Sequence, residues 1–184
     1  MSDAMSGDDV RVAYPLFQVE GGGATPTSPL QLHFGTISNA LAQRLNELWH
    51  SRLPIITNGW DCNVSFAAEC GNVYYAVAMW GHPRSQSFDQ NTVIELRRMA
   101  VAPDAPHYTA SRMLGWMRRW ISKEMPAIKT LISYQDTEVH TGTIYKAAGW
   151  QAKGYTKFSP WKNNTLKIER TQSTADKIRW EYAL

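Results

Sequence analysis

Four residues have side chains that could accept or donate a proton at a reacting centre. Asp136 comes just after a short apolar segment, Glu95 lies within another, and Tyr145 follows Asp136 by nine residues. Carboxylates and phenols are groups with which enzymes remove and supply protons during nucleophilic attack. His50, at the end of a predicted helix, is the fourth candidate. We take these four residues as the predicted catalytic groups.

Each candidate also has a structural alternative. Asp136 can cap the helix predicted to begin near Thr141, or it can be an exposed loop charge. Glu95 can form an ion pair with Arg97 or Arg98, whereas a site role would give it a raised pKa. His50 can complement the dipole at the C-terminus of its helix. The sequence leaves both interpretations open for each residue.

A polar turn between a strand and a helix is the next feature with chemical meaning. The strand ends at Val101-Ala102-Pro103, and helical spacing resumes a few residues later. A helix N-terminus presents unpaired amide groups and the positive end of a dipole, which suit a pyrophosphate. The turn is therefore a candidate phosphate site, although many α/β proteins pass from strand to helix in this way.

Hydrophobic periodicity predicts the elements that would position these groups. Predicted helices cover 38–50, the stretch between Pro103 and Pro126, and 141–148; predicted strands cover 62–69, 73–80, 93–101, 129–134 and 177–182. The first two strands flank a Gly71-Asn72 turn and form a hairpin. The order α, β, β, β, α, β, α, β predicts a mixed α/β domain with one central sheet.

Length and composition set the organisation of the chain. With 184 residues, of which 43% are hydrophobic, the chain suits one soluble domain, predicted over 31–184 after a loosely packed arm over 1–30. No apolar run is long enough for a membrane helix, and the acidic start differs from a secretory signal, so a cytoplasmic location without membrane contact is expected. Two isolated cysteines, Cys62 and Cys70, predict free thiols, and no metal site is predicted.

Positive charge is concentrated in two segments. Segments 97–129 and 146–179 carry net charges of +5 and +6, whereas the remainder carries −8. Such asymmetry favours an anionic partner, either a polyphosphate cofactor or nucleic acid. The predicted DNA contacts are the cations Arg112, Arg118, Arg119, Lys153, Lys157 and Lys162, together with Trp60 and Trp161, whose rings could stack on an unpaired base.

Two motifs in this order resemble the GNAT acyltransferase superfamily. They are the strand end Val101-Ala102-Pro103 and the segment 144–150, IYKAAGW. The resemblance implies an α/β, GNAT-like single domain with a mixed, mostly antiparallel central sheet flanked by helices. It also implies acetyl-CoA or a related CoA thioester as cofactor, with Tyr145 protonating the leaving thiolate. The implied cofactor-binding residues are Met99, Ala100, Val101, His107, Tyr108, Thr109, Ala110 and Ser111. The glycines that usually form this turn are absent.

A longer stretch resembles the Mom family of phage DNA-modification proteins, an offshoot of GNAT. The similarity lies in 131–150, in the segment Tyr108-Thr109-Ala110-Ser111 and in the terminal segment Lys177-Ile178-Arg179-Trp180. It implies an anti-restriction enzyme of bacteriophage type that converts adenine in double-stranded DNA to an N6-carbamoylmethyl derivative in the host cytoplasm. The oligomeric state stays open, a homodimer included. The alternatives are a conventional N-acetyltransferase of a small-molecule or protein amine, and a non-catalytic nucleic-acid-binding module.

The chemistry of adenine N6 sets what such a site must provide. The lone pair of the exocyclic amine is delocalised into the ring, so a neighbouring carboxylate must orient the amine or accept its proton. In a duplex the amine is base-paired, so the base must be flipped out and held between flat side chains. Carbamoylmethylation joins N6 to a methylene carbon, and the sequence does not identify the donor of that group.

Overall fold

A computed structural model describes residues 25–50, 62–157 and 175–184. A 3₁₀ turn, Pro29–Gln31, precedes seven strands and three helices in these ranges: β1 His33–Ile37, α1 Asn39–Trp49, β2 Val64–Cys70, β3 Val73–Gly81, β4 Val93–Val101, α2 Thr109–Glu124, β5 Thr130–Asp136, α3 Thr143–Ala147, β6 Gln151–Thr156 and β7 Lys177–Ala183. The strands form one sheet in the order β1-β2-β3-β4-β5-β7-β6. Within the described ranges β4 and β5 are the parallel pair, which confirms the predicted mixed, mostly antiparallel sheet.

Helices cover both faces of the sheet. On one face, α2 and α3 enclose the main core, in which Met113, Met117 and Ile121 of α2 are fully buried. On the other face, α1 packs on β2, β3 and β4 around a second cluster that includes Leu45 and Val77. The helix α1 does not cover the same face of β5 and β7, where the polar side chains of Tyr134, Arg179 and Glu181 lie.

The first helix begins where the sequence predicts. The Ser38 side chain accepts a hydrogen bond from the Leu41 amide at 3.2 Å, and His50 follows the last helical residue. The helical spacing of Leu41, Leu45 and Leu48 predicts that all three lie on the buried face, which is partly wrong because Leu48 is 42% exposed. The buried side chains are instead Ala42, Leu45 and Asn46, at the three- and four-residue steps of one helix face.

Two strands are missing from the prediction, β1 and β6. Both lie at the edges of the sheet, and neither contains a buried residue. An edge strand with little burial needs no alternation of apolar residues, so the periodicity used to find strands is absent. The predicted arm over 1–30 lies mainly outside the described residues, and the domain boundary stays a prediction.

Strict alternation along β4 predicts Val93, Glu95, Arg97, Met99 and Val101 on one face and Ile94, Leu96, Arg98 and Ala100 on the other, and this prediction is partly wrong. Arg98 pairs with Met79 of β3 and Leu96 pairs with Trp80, so Arg97 is the extra residue of a β-bulge. The bulge reverses the alternation, and Met99 packs with Ile94 and Leu96 against the main core. The bulged strand therefore brings Arg98 to the face of Glu95, which strict alternation would not do.

Other side chains test the predictions for single residues. Gly71 and Asn72 both have positive φ, as a tight hairpin turn requires. Cys62 and Cys70 are free thiols, as predicted. The ring of Trp80, at the end of the predicted strand 73–80, is fully buried and therefore cannot stack on a base; its indole nitrogen donates to the Met117 sulfur at 3.1 Å. No helix of the described residues is long and apolar enough to cross a membrane.

Candidate functional site

The parallel pair β4 and β5 separates part of the way along its length. Pairing begins at Val93 and Thr130 and ends at Leu96 and Ser133, yet β4 continues to Val101. The backbone edge of Met99–Val101 therefore faces β5 without pairing to it. Ligands of α/β folds bind at the carboxyl ends of parallel strands, where such openings occur. We call the space beyond the Leu96–Ser133 pair the β4–β5 gap.

Two hydroxyl groups meet at the closed end of the gap, on the face of α2 and α3. The Ser133 hydroxyl lies 2.9 Å from the Tyr145 hydroxyl and donates to the Leu96 carbonyl at 3.3 Å. Both side chains are buried, and the Tyr145 ring stacks on Trp180 with 5.3 Å between centroids. Burial raises the pKa of Tyr145, while the hydrogen bond from Ser133 lowers it. At neutral pH Tyr145 is therefore a protonated phenol held at the gap.

The position of Tyr145 depends on how α3 is attached to the sheet. Gln135 accepts a hydrogen bond from the Trp180 indole at 2.7 Å and donates to the His140 carbonyl. Gly142, which precedes α3, has a φ of 74°, and a Cβ there would lie 2.5 Å from the Gln135 side-chain oxygen. Only glycine fits this left-handed, crowded position, so α3 must begin there and direct Tyr145 beneath Ser133.

On the opposite face of the sheet, Glu95 pairs with Ile132, one residue before the Leu96–Ser133 pair that closes the gap. Its side chain is 7% exposed and accepts a hydrogen bond from the Arg84 amide at 2.9 Å. Burial raises the pKa of Glu95, and the charges of Arg97, Arg84 and Arg98 partly oppose that rise. Glu95 is therefore a buried carboxylate of raised pKa near three arginines, and both alternatives for its role stay predictions.

His50 and Arg98 extend this polar face. Burial is the largest cause that lowers the pKa of His50 to about 4, and the charges of Arg98 and His140 lower it further. Burial lowers the pKa of Arg98 to about 10, so its guanidinium stays charged at neutral pH. Arg98 is therefore a cation that interacts with both the neutral imidazole of His50 and the carboxylate of Glu95.

Asp136 is the last residue of β5 and precedes the turn that leads to α3. Its side chain accepts a hydrogen bond from the Glu138 amide at 3.0 Å, and its carbonyl accepts one from the His140 amide. Because side chains alternate along β5, Asp136 points to the face opposite Ser133 and Tyr145. These turn contacts compete with the predicted catalytic role of Asp136. To act at one reacting centre with Tyr145, Asp136 would have to reach it from the other face of the sheet.

The predicted phosphate turn has the backbone shape of a glycine turn without the glycine. Tyr108 has a φ of 68° at the start of α2, and no side chain caps that helix end. Thr109 and Ser111 stay predicted cofactor-binding residues, and in this conformation both of their hydroxyls donate to backbone carbonyls. Thr109 donates to the Pro106 carbonyl at 2.7 Å, and Ser111 donates to the Tyr108 carbonyl at 3.1 Å. Backbone amides of the turn are therefore the groups suited to a pyrophosphate.

The predicted DNA-binding cations lie in separate places. Lys153 lies on β6 and Lys157 just after it, and both are exposed. Thr156, the last residue of β6, pairs with Lys177 of β7, which on its other side pairs with Asp136 of β5. Arg118 packs over the Tyr182 ring, 4.5 Å from its centroid, and lines a cleft of about 400 Å³ with Arg119 and Lys123.

That cleft, which we call the lower basic cleft, lies at the opposite end of α2 from the phosphate turn. Arg119 is about 15 Å along the helix from its first residue, at 1.5 Å per residue. Arg112, near the start of α2, lies 5.8 Å from the Phe34 ring. Lys162, Trp60 and Trp161 lie outside the described residues.

Several residues of the site were missed by sequence reasoning. Ser133 and Tyr134 point to opposite faces of β5, and Arg179, opposite Tyr134 on β7, packs 5.1 Å from the Phe88 ring. Strand alternation could have placed Ser133 beneath the sheet, but nothing local signals its pairing with Tyr145. Among the described residues, no three His, Cys, Asp or Glu side chains group as metal ligands.

Comparisons with known proteins agree with this geometry. The family model for the Mom protein family matches residues 33–182. A comparison with curated proteins found no match. Among solved structures, this chain is similar to an acetyltransferase of the GNAT family from Streptococcus pneumoniae, with a TM-score of 0.57 at 9% identity, covering 83% of this chain and 99% of that chain.

Two further structures contain the cofactor or its product. A Bacillus subtilis acetyltransferase in complex with CoA has a TM-score of 0.55 at 14% identity, covering 84% of this chain and 98% of the other. NAA60 of Arabidopsis thaliana, in complex with acetyl-CoA, has a TM-score of 0.57 at 14% identity, covering 83% and 98%. The fold is therefore that of the GNAT acetyltransferases.

Proposed function

Because this chain belongs to the Mom protein family, we propose that it is a transferase that converts adenine in double-stranded DNA to N6-carbamoylmethyladenine. One observation of the site supports this proposal above the others. At the closed end of the β4–β5 gap there is a phenol on one face of the sheet and, one residue away along β4, a buried carboxylate on the other, so an acceptor and a leaving group can be served from opposite sides. The modified base would protect DNA from restriction.

The two faces of the gap would handle two proton transfers. As N6 forms its new bond to the methylene carbon, Glu95 accepts a proton from the amine. Tyr145 gives its phenolic proton to the atom that departs from the donor. Arg98 keeps the neighbourhood of Glu95 positive, which favours the ionised carboxylate needed for the first transfer.

An acyl-CoA type of cofactor fits the other end of the gap. The uncapped start of α2 and the left-handed Tyr108 leave backbone amides of 107–111 suited to a pyrophosphate, and the edge of Met99–Val101 suits a pantetheine arm. When bound, an acyl-CoA would supply an activated carbonyl carbon and a thiolate leaving group, the chemistry of amide formation; the bond from N6 to a methylene carbon displaces instead the leaving group of the carbamoylmethyl donor. The chain's own part is to hold this group and to supply the proton.

The adenine would enter from the polar face after flipping out of the duplex. Tyr134 and the Phe88–Arg179 pair offer flat groups on that face, and His50 and Arg98 offer polar ones. The predicted stacking residues Trp60 and Trp161 belong to segments outside the described residues, so their part in holding the base stays a prediction.

A second candidate is ordinary N-acetylation of a small-molecule or protein amine. The observation in its favour is the similarity of the fold to acetyltransferases in complex with CoA and acetyl-CoA. The same Glu95 and Tyr145 could serve that reaction, because it also removes a proton from an amine and protonates a thiolate. Only the acceptor and the transferred group differ.

Mass spectrometry of nucleosides separates these functions. DNA from cells expressing the protein should contain adenosine carrying the added mass of a carbamoylmethyl group, and DNA from cells with an empty vector should not. Unmodified DNA would overturn the proposed function. In that case transfer of radiolabelled acetyl groups from acetyl-CoA to amines would support the second candidate, and its absence would leave a nucleic-acid-binding module.

Binding of the unmodified duplex should fall steeply with salt, because lysine contacts to phosphate release counterions. If DNA lies over the open end of the gap, the double variant Lys153→Gln/Lys157→Gln should reduce the slope of log K against log salt by about 2. The matched variant Arg118→Gln/Arg119→Gln, in the lower basic cleft, should leave the slope unchanged. Fluorescence anisotropy between low and high salt measures both. The opposite result would place the duplex along α2.

A further inference from the structure

Ser133 occupies a position that the proposed chemistry leaves without a role. It is 2% exposed and belongs to the last pair of residues that joins β4 to β5, so it marks the closed end of the gap. A serine at such a position needs only one partner to be satisfied, yet this hydroxyl has two. One is the Leu96 carbonyl and the other is the Tyr145 hydroxyl.

The directions of these hydrogen bonds follow from the number of protons. Ser133 has a single hydroxyl proton, and a carbonyl can only accept. When Ser133 donates to Leu96, it must therefore accept the phenolic proton of Tyr145. In this arrangement the proton of Tyr145 points at Ser133 and not at the gap.

We propose that Ser133 is a positioning residue that holds the Tyr145 hydroxyl at the gap and stabilises the phenolate left after Tyr145 protonates the departing group. The inference rests on the proposed function of Tyr145 as the proton donor. The Tyr145 hydroxyl first turns its proton from Ser133 to the departing atom; the phenolic O–H bond then breaks and the departing atom gains the proton. The Ser133 hydroxyl turns from the Leu96 carbonyl and donates to the phenolate oxygen. The pair has then lost one proton, which solvent returns to the phenolate before the next turnover.

The surroundings of the pair make this hydrogen bond important. Tyr145 lies between the rings of Trp150 and Trp180, with centroids 5.7 Å and 5.3 Å away. A phenolate in such apolar surroundings is costly unless a donor reaches it. The Ser133 side chain is a hydrogen-bond partner of the Tyr145 hydroxyl. Burial raises the pKa of Tyr145, and this hydrogen bond lowers it. A charge-assisted hydrogen bond from Ser133 offsets part of that cost.

A double-mutant cycle tests whether Ser133 acts through Tyr145. We expect Ser133→Ala to lower the rate at which modified adenine accumulates in cells by about ten- to a hundredfold, the size of a lost charge-assisted hydrogen bond. In the Tyr145→Phe background the same substitution should cause no further loss. A purely structural role would instead add its loss to that of Tyr145→Phe. Ser65→Ala removes another buried strand hydroxyl, on β2, and should leave the rate unchanged.

A second measurement needs no activity. In protein labelled with 3-fluorotyrosine, the ¹⁹F resonance assigned to Tyr145 by its loss in Tyr145→Phe should shift in Ser133→Ala and stay in place in Ser65→Ala. Wild-type protein that leaves DNA unmodified would overturn the proposed function, while this spectrum still tests the pair. Either an unmoved resonance or an additive cycle would overturn the role of Ser133.

Discussion

Replacing Tyr145 with phenylalanine should lower DNA modification by about a hundredfold to ten-thousandfold, the usual contribution of a positioned acid. The phenol is the group that meets Ser133 at the closed end of the β4–β5 gap, and its removal leaves the departing atom without a proton donor. Phenylalanine keeps the stacking on Trp180, so the domain should still fold, at a cost of about 1 kcal/mol for the lost hydrogen bond. Quantification of modified nucleosides early after induction gives the rate.

Tyr155→Phe is the matched control for this variant. Tyr155 is exposed on β6, and its hydroxyl bonds to Asp176 outside the gap, so the rate should stay near that of wild type. Protein level, thermal melting and binding of duplex DNA should be similar in both variants. An undiminished rate in Tyr145→Phe would mean that the phenol only fills the core, and its assignment as the acid would fail.

The sequence predicts the central elements of this fold because their burial imposes a period. The limits of β4 are predicted to the residue, and the start of α1 follows from Ser38, whose side chain can cap a helix. The edge strands β1 and β6 escape prediction because solvent replaces the neighbours that would demand apolar side chains. Local sequence therefore predicts the burial of a segment better than it predicts whether the segment pairs with another strand.

The candidate site is predicted in its parts and not in its assembly. Glu95 and Tyr145 are identified by residue type and, for Tyr145, by resemblance to a motif, whereas the pair of Ser133 with Tyr145 joins residues on two elements. Arg98 reaches the face of Glu95 only because Arg97 is bulged, and a bulge is set by pairing with β3. No local pattern in β4 signals this irregularity. Long-range pairing thus determines which chemically capable residues meet.

The phosphate turn shows a different limit. The family resemblance leads one to expect glycine where the backbone needs positive φ, and the sequence has none there. The structure meets the same need with Tyr108, at the energetic cost of a non-glycine residue in the left-handed region. A required backbone shape can therefore persist after the residue that signals it has been replaced.

Two carboxylates compete for the role of proton acceptor, and matched amide variants separate them. We expect Glu95→Gln to lower DNA modification by about a hundredfold or more, because glutamine keeps the acceptor for the Arg84 amide but cannot take a proton from N6. Asp136→Asn keeps the oxygen that accepts from the Glu138 amide, so the turn should persist and the rate should fall less than threefold. The reverse pattern would assign the base to Asp136 and leave Glu95 a structural role.

The pH dependence of the modification rate distinguishes loss of the base from loss of structure. Burial raises the pKa of Glu95, so on lowering the pH the carboxylate becomes protonated at a higher pH than an ordinary glutamate does. The rate of modification should fall at that pH, and Glu95→Gln should abolish this decrease on the acid side of the pH profile. The folded chain holds this proton to a higher pH than the unfolded chain, so ionisation of Glu95 lowers stability as pH rises above 4.5. Glu95→Gln lacks that penalty and should melt no lower than wild type at pH 7. Reduced activity together with a lower melting temperature would instead indicate damage to the fold.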